Sequence, residues 1–186
     1  MGEVETMKVK EMTYVGLFVA LVAVLGYIPA IPLPFSPVPI TAQTLGVMLA
    51  GSVLGSRLGG LSMLVLILLA IVGAPVLVGG SGGLSHILGP SGGFALSFPL
   101  AAFSIGFLVE RFAKALNIWK LLMINIFGGI IIVYLIGIPY MAVVAKFTLS
   151  QAFYVSMVYI PGDLIKAIIA TLLALQLKKS YPIIIK

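Results

Sequence analysis

The sequence predicts an all-α integral membrane protein with six transmembrane helices, and three observations predict it. First, the chain is 61% hydrophobic and only 9% charged over 186 residues, with a mean hydropathy of +1.25. Water-soluble domains of this size do not have that balance. Second, the apolar stretches number about six, each near the roughly 20 residues that a span needs. Third, six spans sort the basic residues by side. Lys8, Lys10, Arg57, Arg111, Lys114, Lys120, Lys178, Lys179 and Lys186 fall on one side, only Lys146 falls on the other, and Lys166 lies within a span. Nine against one is a strong positive-inside signal, so the chain is expected to be multi-pass with both termini cytoplasmic.

The chain is expected to form a single membrane domain over residues 1–186. Spans are expected at 12–29, 40–56, 58–73, 94–109, 121–138 and 161–177. Residues 29–39 hold five of the eleven prolines and read as a stiff apolar loop. Arg57 alone separates the second and third spans, so that turn must be tight. A loop with seven glycines between 79 and 93 leads to the fourth span. Residues 139–160 include an aromatic-rich, amphipathic piece suited to a helix lying in the interface. Pro161 is well placed as a first helical residue of the last span. The proline-rich loop, the glycine-rich loop and the start of the last span then share the outer face. Loops this apolar are tolerated where they are buried or line a cavity, so extracellular loops capping a ligand pocket are expected.

Composition excludes several functions. There is no cysteine, and one histidine makes no metal cluster. No phosphate-binding loop, Ser-His-Asp set or His-Glu zinc pattern can be assembled. The net charge of +6 forms no dense basic run, so no nucleic-acid partner is expected. No cleavable leader is expected either, because the first apolar stretch runs into prolines rather than a small-residue cleavage site.

The chemistry concentrates in Pro161-Gly162-Asp163-Leu164-Ile165-Lys166, where Asp163 is the only aspartate in the chain. An ionisable residue inside a span costs roughly 2.5–3.5 kcal/mol on insertion scales, which makes a functional site the default reading. On a helix Asp163 and Lys166 are i and i+3 and share a face. They offer an acceptor and a donor to a ligand with N–H and C=O groups, or simply neutralise each other. Gln43, in Thr41-Ala42-Gln43-Thr44, either reads a ligand or bonds a neighbouring helix. Thr41 is expected to cap the second span. Gly79-Gly80-Ser81-Gly82-Gly83 and Gly89-Pro90-Ser91-Gly92-Gly93 allow backbone to approach a ligand, or make tight turns. His86, between them, is expected to have no role. Gly51, Gly55 and Gly59 suit internal helix packing, and Gly16-x-x-x-Ala20 suits packing or a docking face.

Three blocks carry a resemblance: Pro37-Val38-Pro39-Ile40-Thr41-Ala42-Gln43-Thr44-Leu45-Gly46, Gly89-Pro90-Ser91-Gly92-Gly93-Phe94, and Pro161 to Lys166. In order and spacing they resemble the BioY family, the biotin-specific substrate-binding S components of energy-coupling-factor transporters, over about residues 12–178. The resemblance implies an S-component-like bundle in the plasma membrane. It also implies capture of biotin from outside and coupling to a transmembrane T component and ATP-binding A subunits. Asp163 would accept from the ureido N–H, and Lys166 would meet the ureido carbonyl or the carboxylate. Gln43, Gly80, Gly82, Ser91, Gly92 and Phe94 would be secondary substrate contacts. Gly16 and Ala20 would dock the T component. The family commonly has Ala at 16, Thr at 91 and often Tyr at 94, so a hydrogen bond from position 94 is lost here. No cofactor is expected, biotin being the cargo, and ATP hydrolysis is expected only in partners. The competing reading is a stand-alone channel or proton-coupled carrier using Asp163. An integral-membrane enzyme ranks last.

Overall fold

The computed structural model describes residues 9–180. Nine α-helices and one β-hairpin are assigned there: α1 Val9–Tyr27, β1 Ile31–Leu33, β2 Ser36–Ile40, α2 Gln43–Val72, α3 Leu84–Ile87, α4 Gly92–Leu96, α5 Phe98–Arg111, α6 Ile118–Ile126, α7 Val133–Val144, α8 Leu149–Met157 and α9 Ile160–Ser180. A π-helical stretch, Phe127–Ile132, joins α6 to α7. Among the described residues five helices are long and apolar enough to cross a membrane: Val9–Tyr27, Gln43–Val72, Gly92–Arg111, Ile118–Val144 and Ile160–Lys179. The helical membrane class holds, while the expected count of six is off by one.

The missing helix is explained at Gly55. The second and third expected spans form one helical segment, α2, broken where Gly55 adopts φ 79°, ψ −173°. Only glycine enters that region without strain. A Cβ on Gly59 would stand 2.9 Å from the Ala50 carbonyl oxygen. In a straight helix those residues lie about 13.5 Å apart along the axis. The chain therefore doubles back at a single glycine, and the two halves of α2 pack together. The new helix start is capped from α5: the Ser56 N–H and hydroxyl donate to the two Glu110 carboxylate oxygens at 2.6 and 2.8 Å. A carboxylate there also complements the helix dipole. Gly106 leaves room for the reversal, since a Cβ on it would meet the Gly55 carbonyl carbon and the Ser56 nitrogen at 2.2 Å.

The proline-rich segment also departs from expectation. It is a hairpin, Ile31 opposite Ile40 and Leu33 opposite Ser36, turning through Pro34-Phe35. A two-stranded sheet is all edge, so prolines 32, 37 and 39 can sit where no ladder N–H is needed. The piece expected to lie in the interface contains α8, held by a capping box in which Thr148 and Gln151 bond each other's backbone N–H.

Side-chain contacts order the bundle end to end. Gly26, Gln43 and Leu77 meet at one end, where Thr44 also bonds Asp163. Gly55, Gly106 and Glu110 meet at the other. The helix directions put Lys10, Arg57, Arg111, Lys178 and Lys179 at this second end. Lys8 and Lys186, also counted in the sequence, lie outside the described residues. Gly16 is unlike the glycines inside the bundle: it is exposed, and a Cβ on it would meet nothing within 4 Å.

This packing predicts an order of stabilities. Gly55→Ala and Gly106→Ala should each destabilise the purified protein by about 1–3 kcal/mol, read as lower thermal unfolding midpoints in detergent. Gly16→Ala should leave the midpoint unchanged.

Candidate functional site

The site is built where α9 starts. Pro161 and Gly162 open the helix, and Asp163 lies in its first turn, where an acid complements the dipole. Asp163 is buried, 4% exposed, so its charge must be met inside the protein. Its Oδ1 accepts from the Lys166 ammonium at 2.7 Å and from the Thr44 hydroxyl at 3.2 Å. Its Oδ2 accepts from the Tyr134 phenol at 2.6 Å. With about four lone-pair sites on a carboxylate, three are filled, and one on Oδ2 stays open.

Lys166 is fully committed. Its ammonium donates to Asp163 Oδ1 at 2.7 Å, to the Thr41 carbonyl at 2.6 Å and to Thr44 Oγ1 at 3.0 Å. An ammonium has three protons, so all three have partners before any ligand arrives. The Thr41 side chain does not cap α2, whose first residue comes after Ala42 with no side-chain cap. Thr41 instead lends its carbonyl to Lys166, because the chain enters α2 beside the start of α9.

These groups line an open cavity whose atom-free space, counted out into the solvent at its mouth, is about 630 Å³. Of the residues expected in the site, Asp163, Lys166, Gln43, Ser91 and Phe94 line it. Gln43 gives both amide protons to backbone carbonyls, to Val22 in α1 at 3.2 Å and to Val76 in the loop after α2 at 3.0 Å. Its nitrogen therefore braces α1 and the loop after α2. Phe94 stands edge-on to Tyr134 and Tyr159, with centroids 6.1 and 6.4 Å apart, and the three rings make an aromatic corner.

Gly80, Gly82 and Gly92 do not line the cavity. Their lack of a side chain serves packing: a Cβ would meet the Tyr27 ring at Gly80, the Ala74 carbonyl at Gly82 and the Ile87 carbonyl at Gly92. His86, expected to be idle, does line it, with Nε2 3.3 Å from Ser91 Oγ. Burial lowers the pKa of His86 below its ordinary value. Two tyrosines were missed by sequence reasoning. Tyr134, two residues after the π-helical stretch, reaches Asp163 from α7. Tyr159 donates to the Val38 carbonyl at 2.9 Å and bonds the Ser36 hydroxyl, fastening the hairpin over the cavity. Burial first, and Asp163 nearby, raise its pKa. Among the described residues no group of three or more His, Cys, Asp or Glu could hold a metal ion.

Known proteins resemble this chain along nearly its whole length. The model of the BioY family matches residues 2–183. The chain belongs to the BioY family. It is 45% identical to a probable biotin transporter BioY of Bacillus subtilis over 174 residues, covering 94% of this chain and 93% of that protein. It is 42% identical to a biotin transporter BioY of Rhizobium etli over 183 residues, covering 96% and 98%. A crystal structure of the S-component for biotin from an ECF-type ABC transporter superposes with a TM-score of 0.89 at 36% identity, covering 94% of this chain and 95% of that one. The family thus lies among transport proteins, and the three sequence blocks that carried the resemblance meet at this cavity.

The pair has a thermodynamic signature. Removing one partner of a buried ion pair costs about 3–5 kcal/mol, while replacing both by apolar groups is near neutral. Lys166→Met should therefore lower the unfolding midpoint far more than the double variant Asp163→Leu/Lys166→Met. A double-mutant cycle by thermal unfolding in detergent reads the coupling.

Proposed function

We propose that this chain is the biotin-capturing S component of an energy-coupling-factor transporter. It takes biotin from the outer face, and a T component and ATP-binding A subunits drive delivery across the membrane. The observation that carries the reading is Asp163, buried in the cavity wall, neutralised by Lys166 and left with one open acceptor site. Biotin carries two ureido N–H donors on a fused apolar ring system. The open Oδ2 site suits one donor, and the aromatic corner of Phe94, Tyr134 and Tyr159 suits the rings. The biotin transporters among its relatives support the same cargo. A stand-alone proton carrier is not favoured, because Asp163 already holds Lys166, Thr44 and Tyr134.

The chain works, on this reading, as one membrane unit without a resident cofactor, and ATP is hydrolysed by its partners. Basic residues at the end away from the cavity support cytoplasmic termini and an outward-facing mouth in the plasma membrane. The exposed faces of Gly16 and Ala20 on α1 support docking of the T component there.

Purified protein should bind biotin in an equilibrium assay, in preference to thiamine and riboflavin. Asp163→Asn keeps size but places donors beside a donor, and should weaken biotin binding at least about tenfold, about 1.4 kcal/mol. Unchanged affinity in a folded variant rules out direct contact. Ala20→Trp should keep biotin binding yet lose co-purification with the T component and uptake. If binding is lost as well, Ala20 packs internally.

A further inference from the structure

We propose that His86 and Ser91 hold the ligand's carboxylate, and that Lys166 does not. The proposal rests on the reading of the cavity as a biotin site and assigns its second end.

A carboxylate needs a donor set, and the cavity offers two side chains that can carry positive charge, Lys166 and His86. Lys166 is excluded by its own bonds. Each of its three protons has a partner at 2.6–3.0 Å. Turning it to a ligand would break the Asp163 pair and strip the Thr41 carbonyl. Its charge is also already balanced by Asp163, so little field is left for a second anion.

His86 has the opposite properties. It sits on α3, in the loop between α2 and α4, and no acidic side chain bonds it. Its Nε2 faces the Ser91 hydroxyl at 3.3 Å. In the neutral ring Nε2 can accept the hydroxyl proton. Once the ring is protonated, Nε2–H donates to Ser91 Oγ, and the hydroxyl proton is released to point at an anion. Protonation thus frees the Ser91 O–H as a donor and places a positive charge beside it, while the Nδ1–H is a donor in both states.

These two states set the sign of the pH dependence. Burial holds His86 below its ordinary pKa, favouring the neutral ring in the empty site. A bound carboxylate raises that pKa by supplying a counter-charge. Between the two values, binding takes up a proton, so affinity rises as pH falls, by at most tenfold per pH unit. Asp163, Lys166, Tyr134 and Tyr159 face the same cavity. They act alike on biotin and on its uncharged amide, so the ratio of the two affinities isolates the carboxylate end.

The experiment is calorimetry on purified full-length protein between pH 8 and pH 6, with biotin and biotin amide, in buffers of differing ionisation enthalpy. Wild-type protein should bind biotin about tenfold more tightly at pH 6 than at pH 8, taking up a fraction of a proton. The amide should change by less than about twofold. His86→Asn, which cannot protonate, should flatten the profile and bring the biotin-to-amide ratio at pH 6 towards one, whereas Lys166→Met should retain a pH-dependent ratio. Two results overturn the proposal: biotin binding by wild-type protein with no proton uptake and no pH-dependent ratio, or a ratio that survives His86→Asn and disappears in Lys166→Met. The proton-uptake measurement needs no variant, so it decides even if a variant fails to fold. Wild-type protein that binds no biotin at any pH overturns the cargo assignment itself, a result separate from either.

Discussion

A buried carboxylate in an apolar bundle sets the terms for everything around it. Asp163 cannot remain charged without partners, because isolated charge in a low-dielectric interior is strongly unfavourable. Its partners come from three places in the chain. Lys166 is one turn along on α9, Thr44 is on the first turn of α2, and Tyr134 is on α7. Meeting this one charge therefore fixes how three membrane helices stand against each other at the cavity. Lys166 extends the tie to the backbone at Thr41, the residue after the hairpin. Tyr159, one residue before α9, holds the hairpin itself through Val38 and Ser36. The pocket wall and its cover thus hang on the first turn of one helix.

The opposite end of the bundle is held by different physics. No hydrophobic force drives one membrane helix onto another, so close approach and polar caps must supply the attachment. Gly51 lies against Ile105 and the Ala102 carbonyl, and Gly106 lies against the reversal at Gly55. Glu110 then satisfies the backbone and hydroxyl of Ser56 together. Between the ends, Ser52, Asn125 and Thr171 form a buried hydrogen-bonded chain at 2.8 and 3.0 Å linking α2, α6 and α9. Every described buried side-chain polar atom has a partner, as an interior without water requires.

Legibility in the sequence depended on how local each signal was. Asp163 and Lys166 were readable because ionisable residues inside an apolar run are costly enough to stand out from the sequence alone. The glycines at 51 and 59 were readable as packing positions from their spacing. The break between the second and third spans was expected at Arg57 and falls at Gly55, because what turns the chain is a backbone conformation, and a charge only marks the membrane edge. Tyr134 was illegible: one of three aromatics in the apolar run from Leu121 to Val144, it carries no sign that it will meet a carboxylate on another helix. The loop glycines were ambiguous. Gly80, Gly82 and Gly92 are small because Tyr27, Ala74 and Ile87 press on them, and a single sequence cannot separate that need from contact with a ligand. His86 was set aside for lack of a second histidine, although its partner proved to be a serine five residues away.

The two polar ends of the cavity differ in what holds them. Asp163 and Lys166 belong to the bundle, fixed by four bonds to α2 and α7 and the preceding backbone. His86 and Ser91 belong to the connection between α2 and α4, fastened by Tyr27 to the Pro75 carbonyl and Tyr140 to the Ile87 carbonyl, each at 2.9 Å, and by Gln43 to the Val76 carbonyl at 3.0 Å. A ligand held at both ends, as in the proposed arrangement, adds a link between loop and bundle that the empty protein lacks. The neutral head group then requires no new charge at the rigid end, where the balance is already closed. On the proposal, the anionic tail would take its counter-charge at the loop end, where a proton can still be added. Such a division lets the charged step of capture occur at the more exposed part of the site and leaves the intramembrane pair undisturbed.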